Sequence, residues 1–294
     1  MRSATLRLAT RGSVLALTQA QWVADRLGGA ELVESSSDGE PGDKSRFVRG
    51  VERVVLDGNA EIGVHSAKDL PGEMPEGLEI AAVPKREDPA DVWIGAGSSL
   101  EDAPEGARVG TASLRRRAQL LAARPDLRIE ELHGNVDTRL RKLEEGELDA
   151  IILAAAGLRR LGREEEIGFA IPVDQMVPAA GQGALALQVR TDDERTSETT
   201  AAVNDLRAMR ELTAERTVVA LLDATCTSPL GAHARIEGGT IVIEAFVGLP
   251  DGSEWLRDRL EGSGEEPSLA GAELVQRLLS AGARELLDRA EEMA

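Results

Sequence analysis

Cysteine occurs once in the 294 residues, at Cys226, so no intrachain disulfide can form and no cysteine framework for structural zinc exists. Histidine is almost as scarce, and His65, His133 and His233 lie too far apart in sequence to show metal-ligand spacing. Aromatic residues make up 2% of the chain and tyrosine is absent, which leaves little for stacking nucleobases or caging cations. Positive charge is short as well: 34 Lys and Arg against 52 Asp and Glu give a net charge of −18, which argues against a nucleic-acid partner. No uncharged apolar run reaches the roughly 18 residues of a membrane-spanning helix. The opening MRSATLRLATRGS has no apolar stretch before a cleavage site, so the cytoplasm is the expected compartment. The phosphate-loop pattern GxxxxGK[ST], HExxH, GxSxG and CxxC are all missing, which removes nucleotide hydrolysis, zinc proteolysis and serine hydrolysis as first readings.

What remains is a chain with 42% hydrophobic and 29% charged residues, long enough for two or three domains. LRLAT (6–10) reads as a buried strand, Ser13 caps a helix through about Leu27 that Gly28 and Gly29 end, and ELVE (31–34) is a second strand. Residues 35–45, rich in Ser, Gly, Asp and Pro, read as a mobile loop; a helix follows over 46–57, then a strand over 61–66 running into KDLPGEMP. From Pro84 the pattern restarts, with strands at 91–94, 108–110, 128–132 and 149–154 and helices near 113–123 and 135–144. MVPAAGQGALALQV (176–189) can carry the chain back to the first unit. Beyond about 203 come a helical region to Leu222, the cysteine loop, strands near 232–247 and 254–260, and one long helix over 269–291. The expected fold is therefore α/β: one lobe of residues 1–84 with 184–202, a second of 85–183, a cleft between them, and a smaller α+β domain of 203–294.

Charge is distributed unevenly, with eight Arg and one Lys against four acids in 108–142. In GTASLRRRAQL (110–120) small and hydroxylated residues precede a helix whose first turns carry Arg115, Arg116 and Arg117. Helix N–H groups, Thr111, Ser113 and the guanidinium forks together favour a carboxylate or phosphate, the alternative being a solvated basic face. NVDTRLRK (135–142) repeats the arrangement with Asn135 as cap and Arg139 one turn in. HSAKDLP (65–71) sets His65, Ser66, Lys68 and Asp69 at a strand end, where an Asp among cations can stabilise a cationic intermediate or shuttle a proton; a surface ion pair is the plainer reading. ATRGS (9–13) adds Arg11 and Ser13 at another strand end. GQGALA (181–186) fits GxGxxA nominally but follows no strand, so it reads as a tight turn. Cys226, in LDATCTSPLGAHA, is an inert small hydrophobe or a reactive loop thiol.

LRLATRGSVLALTQAQ, VHSAKDLP, REDPADVW, GTASLRRRAQLLAARPDL, HGNVDTRLRKLEEGELDAIILAAAGLRRLG, PAAGQGALALQVR and AERTVVALLDATCTSPLGAHA together resemble the porphobilinogen deaminase family, over nearly the whole chain. The resemblance implies two lobes like those of type II periplasmic binding proteins and a third domain carrying the reactive cysteine. It further implies a dipyrromethane cofactor joined by a thioether to Cys226, porphobilinogen as substrate, a transferase activity that yields hydroxymethylbilane, and a monomer needing neither metal nor membrane. Asp69 matches the family's catalytic aspartate. Ser13, Lys68, Asp69, Thr111, Ser113, Arg115, Arg116, Arg139 and Gln182 match cofactor-binding positions, and Arg11, Gln19, Lys44, Phe47, Ser66, His133 and Arg160 substrate-binding ones. The chain departs from the pattern at His133, where the family has an arginine, in a shorter 35–45 loop, and at Ala224 and Thr225, where it has two glycines. Two other readings stay open: a two-lobed binding protein for carboxylates or pyrroles, and a homologue with impaired catalysis.

Overall fold

The computed structural model describes residues 5–36, 45–225 and 227–293, and the side chains of 45–47 are outside that description. The first lobe begins β1 (Leu6–Arg11), α1 (Val14–Arg26), β2 (Ala30–Ser35), α2 (Ser45–Leu56) and β3 (Ile62–Ser66), followed by a single 3-10 turn at Ala67–Asp69 and β4 (Leu78–Ala82). The second contains β5 (Asp91–Gly95), β6 (Arg108–Gly110), α3 (Leu114–Ala123), β7 (Arg128–Glu130), α4 (Val136–Glu144), β8 (Ala150–Ala154), α5 (Ala155–Arg160) and β9 (Phe169–Ile171). The chain then returns through β10 (Leu185–Arg190) and α6 (Glu194–Ala201) to α7 (Leu206–Leu221). The last domain follows as β11 (Leu230–Glu237), β12 (Thr240–Gly248), β13 (Trp255–Ser263), α8 (Pro267–Ser280) and α9 (Ala283–Glu292).

The two lobes share one topology although no sequence repeat announces it. Their strand orders are β2-β1-β3-β10-β4 and β7-β6-β8-β5-β9, each with three parallel strands, a fourth antiparallel to them, and an edge strand antiparallel to the fourth. In each lobe the fourth strand arrives from the other: β5 follows β4 of the first, and β10 follows β9 of the second. The crossing segments are bonded together, since Glu87 N–H donates to the Gly183 carbonyl at 3.1 Å and Arg86 Nε donates to the Gln182 carbonyl at 2.9 Å. The carboxyl ends of the parallel strands therefore open on one cleft, where ligand-contacting residues gather in α/β sheets.

Apolar positions explain why the layers hold. In the first lobe Leu8, Ile62, Val64, Leu185, Leu187 and Val189 of the sheet meet Ala20, Val23 and Ala24 of α1. In the second, β5 and β8 are covered on both faces: Trp93 and Ile152 point to α3, and Val92, Ile151 and Leu153 to α4 and α5. That two-sided burial is why these strands read as continuous apolar runs. The third domain packs α7, α8 and α9 on its sheet through Val218, Ile241, Ile243, Leu274, Leu278 and Leu287.

Two expectations are corrected. The run over 232–247 is a hairpin, β11 and β12, because Gly238 and Gly239 both take positive φ (57° and 88°) and supply the tight turn that strand twist favours. The long helix over 269–291 is two helices, broken at Gly282 with φ 100°. Strands β4 and β9 and helices α5 and α6 were not anticipated.

Candidate active site

Residues from both lobes meet where the crossings run. At the end of β1, Arg11 Nη1 lies 3.3 Å from Asp69 Oδ2, which the 3-10 turn after β3 presents to solvent. Ser13 caps α1 by accepting from Ala16 N–H at 3.3 Å. Gln19 is buried on the same helix, and its Oε1 accepts from the Ser66 hydroxyl at 3.2 Å, tying α1 to the end of β3. Lys68 Nζ donates to Gln182 Oε1 at 3.3 Å, and Gln182, itself 1% exposed, turns its amide N–H toward the Pro89 carbonyl (2.7 Å) and Asp91 Oδ1 (3.0 Å).

The arginine-rich segment departs from its reading in an informative way. Ser113 caps α3 by accepting from Arg116 N–H, and Thr111 Oγ1 accepts from Ser113 N–H, so both hydroxyls serve the local backbone. Arg115 and Arg116 are 4% and 6% exposed, and the carboxylate they hold is the chain's own Asp91. Burial alone would push the Asp91 carboxyl up, but the two guanidinium charges hold it well below the usual range. Asp91, within REDPADVW, received no role from the sequence, where the signal was an acid opening the apolar run VWIG.

Arg139 and Arg160 differ from that pair, being half-buried and making no ion pair with an acid among the described residues. Arg139 Nε donates to the Gly134 carbonyl at 2.9 Å and Arg160 Nη2 to the Gly183 carbonyl at 2.7 Å. Burial, with the charge of Arg116 added, pushes Arg139 down to about 10; burial pushes Arg160 to about 10 against the opposing pull of Glu87. Lys68 is likewise lowered to about 8, by burial first and by the charge of Arg116 second. A chain of net charge −18 thus keeps three cations in its cleft under-neutralised, an arrangement that a polycarboxylate ligand would relieve.

Other predicted residues stand apart. His133 is exposed, with Nε2 2.7 Å from Glu131 Oε1. His65, from the HSAKDLP motif, points into the first lobe; its Nε2 meets Gln188 Oε1 at 3.0 Å, and burial lowers it to about 4, so it is neutral. Phe47 lies in α2, its side chain outside the described part, and Lys44 and Cys226 lie outside the described residues altogether. GQG forms the tight turn expected, with φ 74° at Gly181 and 86° at Gly183; a Cβ on Gly183 would sit 2.3 Å from the Glu87 carbonyl oxygen.

Behind the cleft a buried network joins the third domain to the crossings. Glu215 of α7 accepts both Nη atoms of Arg86 (2.7 and 3.1 Å), the Gly181 N–H (2.6 Å) and the Ala234 N–H (2.7 Å), and faces His233 Nδ1 at 3.3 Å. The third domain also seats on α3 through Phe246, which packs on Ala118 and Val177. Arg86 and Glu215 lie in the segments REDPADVW and AERTVVALLDATCTSPLGAHA, but the sequence alone suggested no role for either.

Fold and site together define a two-lobed α/β protein whose crossings gather Arg and Lys side chains from both lobes, with a third domain locked to those crossings. Residues 6–198 match the family model described as "Porphobilinogen deaminase, dipyromethane cofactor binding domain", and residues 209–280 the one described as "Porphobilinogen deaminase, C-terminal domain". The porphobilinogen deaminases of Campylobacter concisus (strain 13826) and Syntrophus aciditrophicus (strain SB) are each 43% identical to it, over 98% of this chain and 99% of theirs. Among solved structures, a TRAP periplasmic solute binding protein from Desulfovibrio salexigens shares a TM-score of 0.42 at 13% identity, covering 70% of this chain and 72% of its own, a likeness too slight to argue from. The chain belongs to the porphobilinogen deaminase family. It is accordingly a transferase with a dipyrromethane cofactor.

Proposed function

We propose that the cleft of this family member works as a hydroxymethylbilane synthase by two sets of residues, one that receives pyrrole carboxylates and one acid, Asp69, that faces the reacting pyrrole. The enzyme condenses four porphobilinogen molecules head to tail, with loss of an ammonia from each, and water releases the linear product. Cys226 would hold the dipyrromethane by a thioether, and the bound group would supply the terminal pyrrole carbon to which the first unit is joined. Each pyrrole carries an acetate and a propionate, so the under-neutralised Lys68, Arg139 and Arg160 fit such a group, and that is the observation which carries the reading.

Lys68, Arg139 and Arg160 donate to those carboxylates, with Arg11 and His133 at the rim. Ser13, Gln19, Ser66, Thr111, Ser113 and Gln182 fix backbone and side chains around them. Lys44 and Phe47 belong to the substrate side. Asp69 stabilises the positive charge that develops on porphobilinogen as ammonia leaves and again as the new C–C bond forms, and it receives the proton lost from the joined carbon. Its solvent-facing position beside Arg11 supports this, because the acid can meet substrate while held on the turn. One acid serves every cycle. The reading extends to domains of 1–84 with 184–202, 85–183 and 203–294, and to a monomer acting in the cytoplasm without nucleic acid or membrane.

The test is Asp69→Asn in cofactor-loaded protein. Porphobilinogen consumption should fall by about 100-fold or more, the scale of a general acid-base residue. Turnover within about three-fold of the parent would remove Asp69 from the mechanism.

A further inference from the structure

One carboxylate gathers the two most deeply buried arginines of the cleft. Asp91 is 0% exposed and accepts from Arg115 Nη1 (2.7 Å) and Nη2 (3.2 Å), Arg116 Nε (2.9 Å) and Nη2 (2.8 Å), and Gln182 Nε2 (3.0 Å). The same guanidiniums are pinned from behind, Arg115 Nη1 by the Val177 carbonyl at 2.8 Å and Arg116 Nη1 by the Ile152 carbonyl at 2.9 Å. Gln182 passes the arrangement across the cleft, since its Oε1 accepts from Lys68 of the first lobe at 3.3 Å. Asp91 itself opens β5, which is laddered to β8 on one side and β9 on the other, so its backbone is held on both edges.

We propose that Asp91 is the positioning residue of the anion cleft, fixing the aim of Arg115 and Arg116 and, through Gln182, of Lys68, and limiting the positive charge they present. The proposal rests on the reading of the cleft as a site for carboxylate-bearing pyrroles. Asp91 touches no substrate; it is buried among the groups it arranges. Without it two adjacent buried guanidiniums would repel each other and lose their common acceptor, a strongly destabilised arrangement. With it, Arg115, Arg116 and Lys68 share one counter-charge and leave a net two positive charges. The cleft then discriminates by the spacing of its donors and does not simply trap small inorganic anions.

Asp91→Asn keeps the shape and removes the charge; Asp91→Glu keeps the charge and displaces it by a methylene. Cofactor-loaded parent and variants, checked by intact mass and cooperative thermal unfolding, are titrated with inorganic phosphate by calorimetry and assayed with porphobilinogen. Folded Asp91→Asn should raise KM by about ten-fold to 100-fold, as misplaced positioning groups do, with a smaller change in kcat. It should also bind phosphate about ten-fold more tightly than the parent, because the local positive charge rises by one. Folded Asp91→Glu should raise KM while leaving phosphate affinity unchanged. A residue that merely held the fold would lower the melting temperature and move neither quantity. Folded Asp91→Asn with the parent's KM and phosphate affinity overturns the proposal, and so does folded Asp91→Glu with the parent's KM. Either result leaves the cleft reading intact, whereas a parent that does not turn porphobilinogen over would overturn that reading instead.

Discussion

Replacing Glu215 by Gln should weaken the junction of the three domains more than any substitution at the cleft mouth. Glu215 is 0% exposed and serves the Arg86 fork and two backbone N–H groups at once. Gln has one accepting oxygen in place of two, so a fork contact and a backbone donor lose their partner and Arg86, also buried, loses its main counter-charge. Breaking one side of a buried pair costs about 3–5 kcal/mol. A second route gives the same scale. Burial pushes the Glu215 carboxyl up, but Arg86 and His233 overcome this and lower it from 4.5 to about 2, which corresponds to roughly 3 kcal/mol. At roughly 2–4 °C per kcal/mol for a chain of this size class, the melting temperature should fall by about 6–20 °C.

The pH dependence carries the sign. A carboxylate whose folded pKa is depressed contributes stability that is present above about 4.5 and lost as pH falls toward about 2. The gap in melting temperature between parent and Glu215→Gln should therefore be full at pH 7 and shrink between pH 4 and pH 3. Thermal unfolding followed by circular dichroism at one scan rate measures it. A loss below about 1 kcal/mol at pH 7 would refute the buried-pair account, because that is the value of an exposed pair. A gap that stays constant into acid would refute the linkage.

Other outcomes follow from the same geometry. Lys68 loses its proton near pH 8 in the free enzyme, so kcat/KM should fall as pH rises through about 8, and Lys68→Arg should remove that limb; an unchanged limb would clear Lys68 of it. Arg139→Gln discards a half-buried cation that has no acid partner among the described residues. The melting temperature should hold or rise while KM increases about ten-fold, and a fall of more than about 5 °C with unaltered KM would reverse the assignment. Gly181→Ala puts a Cβ 2.9 Å from Ala67 C and Lys68 N at φ 74°, so it should cost about 1–3 kcal/mol and lower kcat/KM by displacing the turn that carries Lys68 and Asp69; a fully active, equally stable variant would contradict the packing.

Much of this was legible from residues because local and global signals agree. The βαβ opening is set by LRLAT, the Ser13 cap and the Gly28–Gly29 stop, and observed β1, α1 and β2 follow it within a residue or two. The second lobe's strands were readable as apolar runs because helices cover both faces. What escaped were features fixed by distant partners. β4 and β9 are short edge strands that owe their register to β10 and β5. The break at Gly282 hides in a segment that is amphipathic on either side. Arg115 and Arg116 announce an anion by their position on a helix start, but a run of arginines does not reveal that Asp91, 24 residues earlier, reaches Arg115 first. The Arg86–Glu215 lock spans 129 residues and has no local signature.

The most direct test of the central claim, that this cationic cleft builds its product on a covalently held dipyrromethane, is the intact mass of the purified protein beside Cys226→Ser, each before and after incubation with porphobilinogen. The account predicts an added mass equal to dipyrromethane on the parent, further additions of one pyrrole unit at a time under limiting substrate, and neither on the variant. A parent that stays at its unmodified mass even after that incubation, or a Cys226→Ser protein that carries the same additions, would contradict it.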